Sequence, residues 1–381
     1  MRPFNSKNLL FTQFSAIGNK TIKSHPKLLR MKSKLKLGFA ISAFIISGCV
    51  TTSPSLTAET DISDFYEKAA PNENSSKAIE FTFTAFGDSG WAKTHTSRPI
   101  YGGGFKQAFK RFDPNKTTLG DINYINWETS IGTHCEQFWS KLSPSTYAFL
   151  THPKELEDTI DLGFNVIGLA NNHTFDCLRS KEGNGPLQTY NFVKSIRSQN
   201  PNIALSGVYE QRFQEPIQSN IKTKQGIVPI TFASAYVGGS QSHCANMLCV
   251  LNLGAIKKSF TDTSRLRILA LHSWDKATHA RLKAVLTTML QENMIDIGIG
   301  SGPHIKEQIK IVKTSQGNKI LATSLGNFIH PSLSAQAKNV ALQSIWSFNE
   351  QTKTFKLLEA NGIKISCDGG ECVNKGKQRV F

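Results

Sequence analysis

The stretch Phe164-Asn-Val-Ile-Gly-Leu-Ala-Asn-Asn-His-Thr-Phe-Asp176 decides the reading of this chain. Its first half, Phe164 to Ala170, is a short and almost continuous apolar run, as expected of a strand buried on both faces. It breaks into Asn171-Asn172-His173, polar side chains placed where a buried strand gives way to a loop. In layered α/β proteins, the loops that leave strand ends build the ligand site.

The same arrangement recurs along the chain. Ile79 to Phe86 alternates apolar and polar positions and breaks at Gly87-Asp88. Tyr124-Ile125 leads to Asn126-Trp127-Glu128, and Ile268 to Leu271 leads to His272. Ile297 to Ile299 leads to Gly300-Ser-Gly-Pro-His304, and Thr323-Ser-Leu to Gly326-Asn327. Other strands are expected over 122–127, 203–205, 227–233, 267–271, 295–299, 309–312 and 320–323. Helices are expected over 153–162, 187–196 and 277–294, the last carrying Leu282, Val285, Leu286, Met289 and Leu290 on one face. A β-rich tail over 340–365 is expected to turn at 349–352 and again at Asn361-Gly362. This predicts an α/β fold, a sandwich of mixed sheets flanked by helices in one domain.

The polar strand ends bring together two carboxylates, Asp88 and Glu128, with Asn172, His173, His272 and His304. A mixed oxygen and nitrogen set suits manganese, iron or zinc, or magnesium if few histidines bind. Each residue also has a plainer role: Asp88 as a helix cap or turn residue, Glu128 as a surface carboxylate, Asn171 and Asn172 as turn formers, His272 as a core histidine. His134, His152, His243, His279 and His330 fall outside these stretches and read as surface or structural.

Taken together, Gly87-Asp88, Asn126-Trp127-Glu128, Ala170-Asn-Asn-His-Thr-Phe-Asp176, Leu271-His272, Pro303-His304 and Ser324-Leu-Gly-Asn-Phe328 resemble the CapA family of bacterial capsule-synthesis proteins, the poly-γ-glutamate capsule type. The stretches occur in the family's order and cover roughly residues 79 to 335. The resemblance implies a calcineurin-like metallophosphoesterase fold of four layers, with mixed central sheets between helices. It implies that Asp88, Glu128, Asn172, His272 and His304 bind one or two divalent ions, that His173 donates a proton beside the substrate, and that Asp176 orients His173. Three positions depart from the family pattern. Gly302 stands where a His-Pro-His would supply a donor, Ser273-Trp274-Asp275 replaces the usual Trp-Gly and Glu, and Ser89-Gly90-Trp91 follows the first aspartate. Asp275 is left either as a substitute ligand or as a helix cap, and both one and two metals stay open.

Composition narrows the class. Of 381 residues 39% are hydrophobic and 19% charged, which supports a globular body rather than a disordered chain. No stretch after residue 60 offers the roughly 20 apolar residues of a spanning helix. The net charge of +16 is concentrated at the start: residues 1–36 hold nine Lys or Arg and no acid, which leaves +7 from Leu37 onward. No basic run with interleaved aromatics follows, so nucleic acid is not expected as a partner.

The N-terminus reads as an address. Met31-Lys-Ser-Lys-Leu-Lys36 precedes the apolar Leu37 to Ile46 and then Ser47-Gly48-Cys49, a secretory signal ending in a lipobox-like Ile46-Ser-Gly-Cys49. Cys49 is expected to carry lipid and to tether the protein to the cell envelope, with Val50 pointing to an outer membrane where the cell has one. The expected organisation is a signal and extension over 1–48, a flexible tether over 49–78, the main domain over 79–335, and a C-terminal β extension of that domain over 336–381. Six cysteines remain, an even number in a compartment that permits disulfides. The spacing of Cys244 with Cys249 and of Cys367 with Cys372 suggests two local bridges, leaving Cys135 and Cys177 for each other, although six cysteines allow about 15 pairings.

Two functions from different classes are expected to compete. One is a metal-dependent hydrolase of the envelope acting on a phosphoester or on an amide-linked polymer such as polyglutamate. The other is a non-catalytic, lipid-tethered factor that binds a polyanionic polymer and serves its synthesis or export alongside other capsule proteins. Gly302 favours the second; Asn172, His173, His272 and His304 favour the first.

Overall fold

The computed structural model describes residues 78–93, 98–100, 103–141, 143, 146–181, 183, 185–208, 216–238, 251–333 and 336–379. The first half of the chain gives β1 (Ile79–Ser89), α1 (Gly104–Phe112), β2 (Ile122–Trp127), β3 (Ser130–Ile131), β4 (Gln137–Phe138), β5 (Leu150–Thr151), α2 (Pro153–Leu162), β6 (Val166–Gly168), β7 (Cys177–Arg179), α3 (Gly185–Gln199) and β8 (Ala204–Ser206). Then come β9 (Ile217–Lys222), β10 (Ile227–Tyr236), α4 (Leu253–Ser259), β11 (Leu266–His272), α5 (Lys276–Gln291), β12 (Ile297–Ser301), β13 (Ile309–Thr314) and β14 (Gly317–Ala322). Three long strands close the chain: β15 (Gln336–Asn349), β16 (Thr354–Asp368) and β17 (Glu371–Gln378).

Among the described residues, these strands make two large mixed sheets. One runs β17-β16-β15-β1-β2-β6-β8 and the other β13-β14-β12-β11-β10-β9. In the first, β1, β2, β6 and β8 are parallel and β15 joins β1 antiparallel; in the second, β10, β11, β12 and β14 are parallel. Strand alternation sends side chains to both faces. Phe81, Phe83, Tyr124, Phe232, Ile268 and Ile299 meet in the core between the sheets. On the outer face of the first sheet, Phe86, Ile125 and Ile167 pack with Phe105 and Phe109 of α1 and Leu156 of α2. On the outer face of the second, Leu269 and Leu271 pack with Leu282, Leu286 and Met289 of α5. The result is helix, sheet, sheet, helix: the four-layer α/β sandwich that the resemblance implied. Sheets covered on both sides account for the nearly unbroken apolar runs of their central strands.

The local sequence explains the elements that carry the site. The α2 helix starts with Pro153 in its first turn, behind His152, whose ring accepts the Lys154 amide, and it ends at Gly163 in left-handed backbone. The α5 helix starts in a capping box: Asp275 accepts the amides of Ala277 and Thr278, while Thr278 reaches back to its N–H. Asp275 is therefore a helix cap, which settles that open alternative. Cys367 pairs with Cys372, as their spacing suggested, and Cys135 with Cys177, the pair expected to be left over. Cys49, Cys244 and Cys249 lie outside the described residues.

One expectation fails in the tail and one at a helix end. No turn interrupts Asn361-Gly362; β16 runs through it, paired on one side with β15 and on the other with β17. Ladder bonds on both edges hold glycine in extended backbone, and the turn falls instead at Gly369-Gly370. The α5 helix stops at Gln291 rather than at 294, where Asn293 turns into positive φ. No described helix is long and apolar enough to cross a membrane.

Candidate metal centre

The ends of β1, β2, β6, β11 and β12 and the segment after β14 converge on one buried cluster. Asp88 lies near the end of β1, where pairing with β2 shifts register between Ala85 and Asp88. Gly87 makes this possible: a Cβ there would sit 1.8 Å from the Gly326 carbonyl oxygen. The Asp88 amide donates to that same oxygen at 2.9 Å, and the Asp88 carbonyl accepts from Phe328 at 2.8 Å. The residue is thus pinned from both sides. Its Oδ1 accepts from Asn126 Nδ2 at 2.7 Å and its Oδ2 from the Gly302 amide at 3.2 Å.

Glu128 follows β2 and is fully buried, and neither of its carboxylate oxygens has a hydrogen-bond partner. Unpartnered buried carboxylate oxygens are rare in native proteins and point to a bound water or ion. His304 Nδ1 lies 3.3 Å from Asp88 Oδ2 and 3.8 Å from Glu128 Oε2, and its ring is also held by Asn327 Oδ1 at 2.8 Å. Ligand atoms of Asp88, Glu128 and His304 all fall within 4.8 Å of one another. His304 adopts φ 57°, a strained conformation of the kind that clusters at functional sites.

His272 completes the group at the end of β11. Its Nε2 is 2.6 Å from Asn172 Oδ1 and 3.5 Å from Glu128 Oε1, while Nδ1 is 2.8 Å from Ser301 Oγ and 3.3 Å from Asn126 Nδ2. All five residues expected to bind metal thus lie in one place, with the ligand atoms of Asp88, Glu128 and His304 grouped together. Burial pushes the His272 ring down to about 3, which keeps it neutral and able to ligate. Burial and the neighbouring Asp88 charge push Glu128 up to about 8. Burial opposes the positive charge of His304, but the Glu128 and Asp88 carboxylates outweigh it and raise the ring to about 10. Burial likewise opposes the Asp88 charge, yet the His304 ring holds that carboxyl below its ordinary range.

The pair expected to handle protons sits beside this cluster. His173 Nδ1 is 2.6 Å from Asp176 Oδ2, which also accepts the Phe149 amide at 2.7 Å. Burial disfavours the imidazolium of His173, but Asp176 outweighs it and raises the ring above its ordinary value. Asn171 is structural: its side chain donates to the Trp127 carbonyl and accepts the His173 amide, locking the turn that presents Asn172 and His173.

Asn126, Ser301 and Asn327 are the residues that reading single positions missed. Each is a buried polar residue at the end of an apolar strand, or just beyond one, and that signal stands in the sequence. Of the remaining histidines, His330 is buried against Phe149, with ring centroids 4.6 Å apart, and is not a surface residue. His279 is likewise buried, between Ser273 and Glu307. His243 lies outside the described residues.

A cleft opens over the centre in two adjoining recesses of about 160 and 500 Å³ that share Tyr147, His173 and Trp274. His304 and Asn327 line the first, Asn172 and Asp176 the second.

No curated protein matches the sequence significantly. Among solved structures the chain is similar to a phosphatase from Mycoplasma pneumoniae, with TM-score 0.43 and 13% identity over 77% of this chain and 95% of that one. It is also similar to a hypothetical protein from Thermus thermophilus, with TM-score 0.40 and 8% identity over 75% and 99% of the two chains. Residues 82–332 match the family described as Bacterial capsule synthesis protein PGA_cap, and these residues contain every member of the buried cluster. The chain belongs to this bacterial capsule synthesis family.

Proposed function

We propose that the protein is a metal-dependent hydrolase of the cell envelope, cleaving a phosphoester or amide bond in a capsule-type polymer, and that lipid on Cys49 anchors it to the membrane. The observation that carries the catalytic part is Glu128: a buried carboxylate with both oxygens unpartnered, facing Asp88, His272 and His304. Burying such a group without a partner is strongly unfavourable, and a divalent cation resolves the conflict. Manganese, zinc or iron suits these carboxylate and imidazole donors. Asp88, Glu128, Asn172, His272 and His304 are the residues that would hold one or two such ions. When bound, a metal there polarises the scissile group and lowers the pKa of water.

The chain's own residues supply the rest. Asn126 and the Gly302 amide fix the Asp88 carboxylate, and Asn327 fixes the His304 ring, so the donors are oriented before any ion arrives. Asp176 holds the His173 proton through Nδ1 and leaves Nε2 for the cleft. His173 then protonates the leaving group as water displaces it. The grouping of Asp88, Glu128, Asn172, His272 and His304, despite the donor lost at Gly302, supports catalysis over the non-catalytic alternative, in which the protein only binds polymer.

The test is hydrolysis of bis-p-nitrophenyl phosphate and of γ-glutamyl peptides by the manganese- or zinc-loaded protein. Turnover of either, lost in Asp88→Asn and reduced by about 10²–10⁴ in His173→Ala, is expected. Wild-type rates in both variants would sink the assignment. For the anchor, Cys49→Ser is expected to move the protein from membranes to the soluble fraction; retention at membranes would contradict lipidation.

A further inference from the structure

We propose that the cleft over the candidate metal centre binds an uncharged glycan segment, whose sugar rings stack on its rim while the scissile linkage lies at the centre. This names a substrate class for the site described above and rests on the hydrolase reading.

The rim is aromatic and exposed. Trp139, Tyr147 and Trp274 expose 50%, 56% and 61% of their surfaces, which makes them three of the few large hydrophobic side chains left in solvent among the described residues. All three border the recess over His173, and Tyr147 and Trp274 also border the one over His304. Aromatic rings gathered at one cleft, rather than scattered over the surface, mark a binding site. Tyr147 and Trp139 are backed by further rings, Phe149 and Phe175, at centroid separations of 6.2 and 6.5 Å. Such backing presents them as firm platforms.

The chemistry of the lining selects the occupant. Among the described residues, neither recess is lined by a Lys or Arg, although the chain carries 44 of them. A polyanion such as polyglutamate needs cations repeated along its path, whereas the groups here able to carry positive charge, the His173 and His304 rings, sit at the centre itself and none is placed along the rim. Apart from His173, His304 and Asp176 of the centre itself, the polar groups that line the recesses are neutral hydroxyls and amides, among them Ser140, Thr146, Asn172, Asn327 and Ser332. A pyranose offers a matching surface. Its C–H face carries partial positive charge and lies against the negative face of an aromatic ring, while its rim of hydroxyls needs neutral donors and acceptors. Several platforms along two joined recesses fit a repeating chain of rings better than the single slot that a nucleobase needs.

Full-length protein, metal-loaded in a non-glycosidic detergent, is titrated with maltohexaose, cellohexaose and chitohexaose by tryptophan fluorescence and calorimetry, with poly-γ-glutamate and AMP as contrasts. At least one neutral oligosaccharide is expected to bind, with an affinity that raised salt leaves unchanged. Trp274→Ala and Trp139→Ala are each expected to weaken it about tenfold or more, with circular dichroism and metal content unchanged, and Trp274→Phe to retain most of it. Silence towards all three sugars overturns the proposal, as does salt-sensitive binding of polyglutamate alone or binding of AMP alone. Binding is read without turnover, so the two readings separate. An inactive protein that still binds sugar refutes only the hydrolase, and an active one that ignores every sugar refutes only the glycan.

Discussion

At Gly302 a missing side chain and a close backbone contact turn out to be one fact. The residue has φ +118°, and a Cβ there would sit 1.7 Å from the Ser273 carbonyl oxygen. Its amide instead donates to Asp88. The position has therefore been rebuilt around a backbone donor, and replacing the glycine does not restore a ligand. Gly302→His is expected to lower stability by roughly 1–3 kcal/mol or more without adding bound metal. Denaturant unfolding and elemental analysis check this; undiminished stability with a second metal would contradict it. Glu128 gives a pH signature in the metal-free protein. Its folded value of about 8 lies above the ordinary 4.5, so the folded state holds the extra proton between them. Its contribution to stability is present below about 4.5 and is lost as pH rises through 8. Glu128→Gln is expected to flatten that decline in the metal-free protein, as metal loading should in the wild type. An unchanged pH profile of the unfolding midpoint in the variant would show that Glu128 is not the group responsible.

At the scale of elements, the Cys135–Cys177 bridge ties the short β4–β7 ribbon together directly beside Asp176. It closes a separation of 42 residues, and its removal should destabilise the protein by about 2–4 kcal/mol. Because Cys177 adjoins the residue that orients His173, Cys135→Ala with Cys177→Ala is also expected to lower turnover more than metal content. Equal losses of both would mean the bridge supports the whole centre rather than the His173 side. The elements themselves were unevenly legible. The α2 helix was readable to the residue because Pro153 and Gly163 punctuate it in sequence. The α1 helix went unread, although Phe105, Ala108, Phe109 and Phe112 share a face, because its cap is remote: Glu155 on α2 accepts the amides of Gly103, Gly104 and Phe105. Long-range pairing also decided Gly362, where turn chemistry read locally gave the wrong answer.

At the scale of the molecule, two sheets with covered faces leave their parallel strand ends as the place where buried polar residues gather, and every expected ligand lies there. This much was legible because each ligand follows its own apolar strand. What sequence could not supply is proximity: that Asn126 joins Asp88 to His272, that Asn327 braces His304, and that Trp139 and Tyr147, between β4 and β5, line one recess with Trp274, between β11 and α5. The central claim is that these strand ends hold a metal ion, and elemental analysis of the purified protein after manganese or zinc loading tests it most directly. The account predicts one or two tightly held ions per chain, falling towards none in Asp88→Asn and Glu128→Gln with the fold intact. A loaded wild-type protein that retains no metal, or variants that retain it in full, would contradict the account.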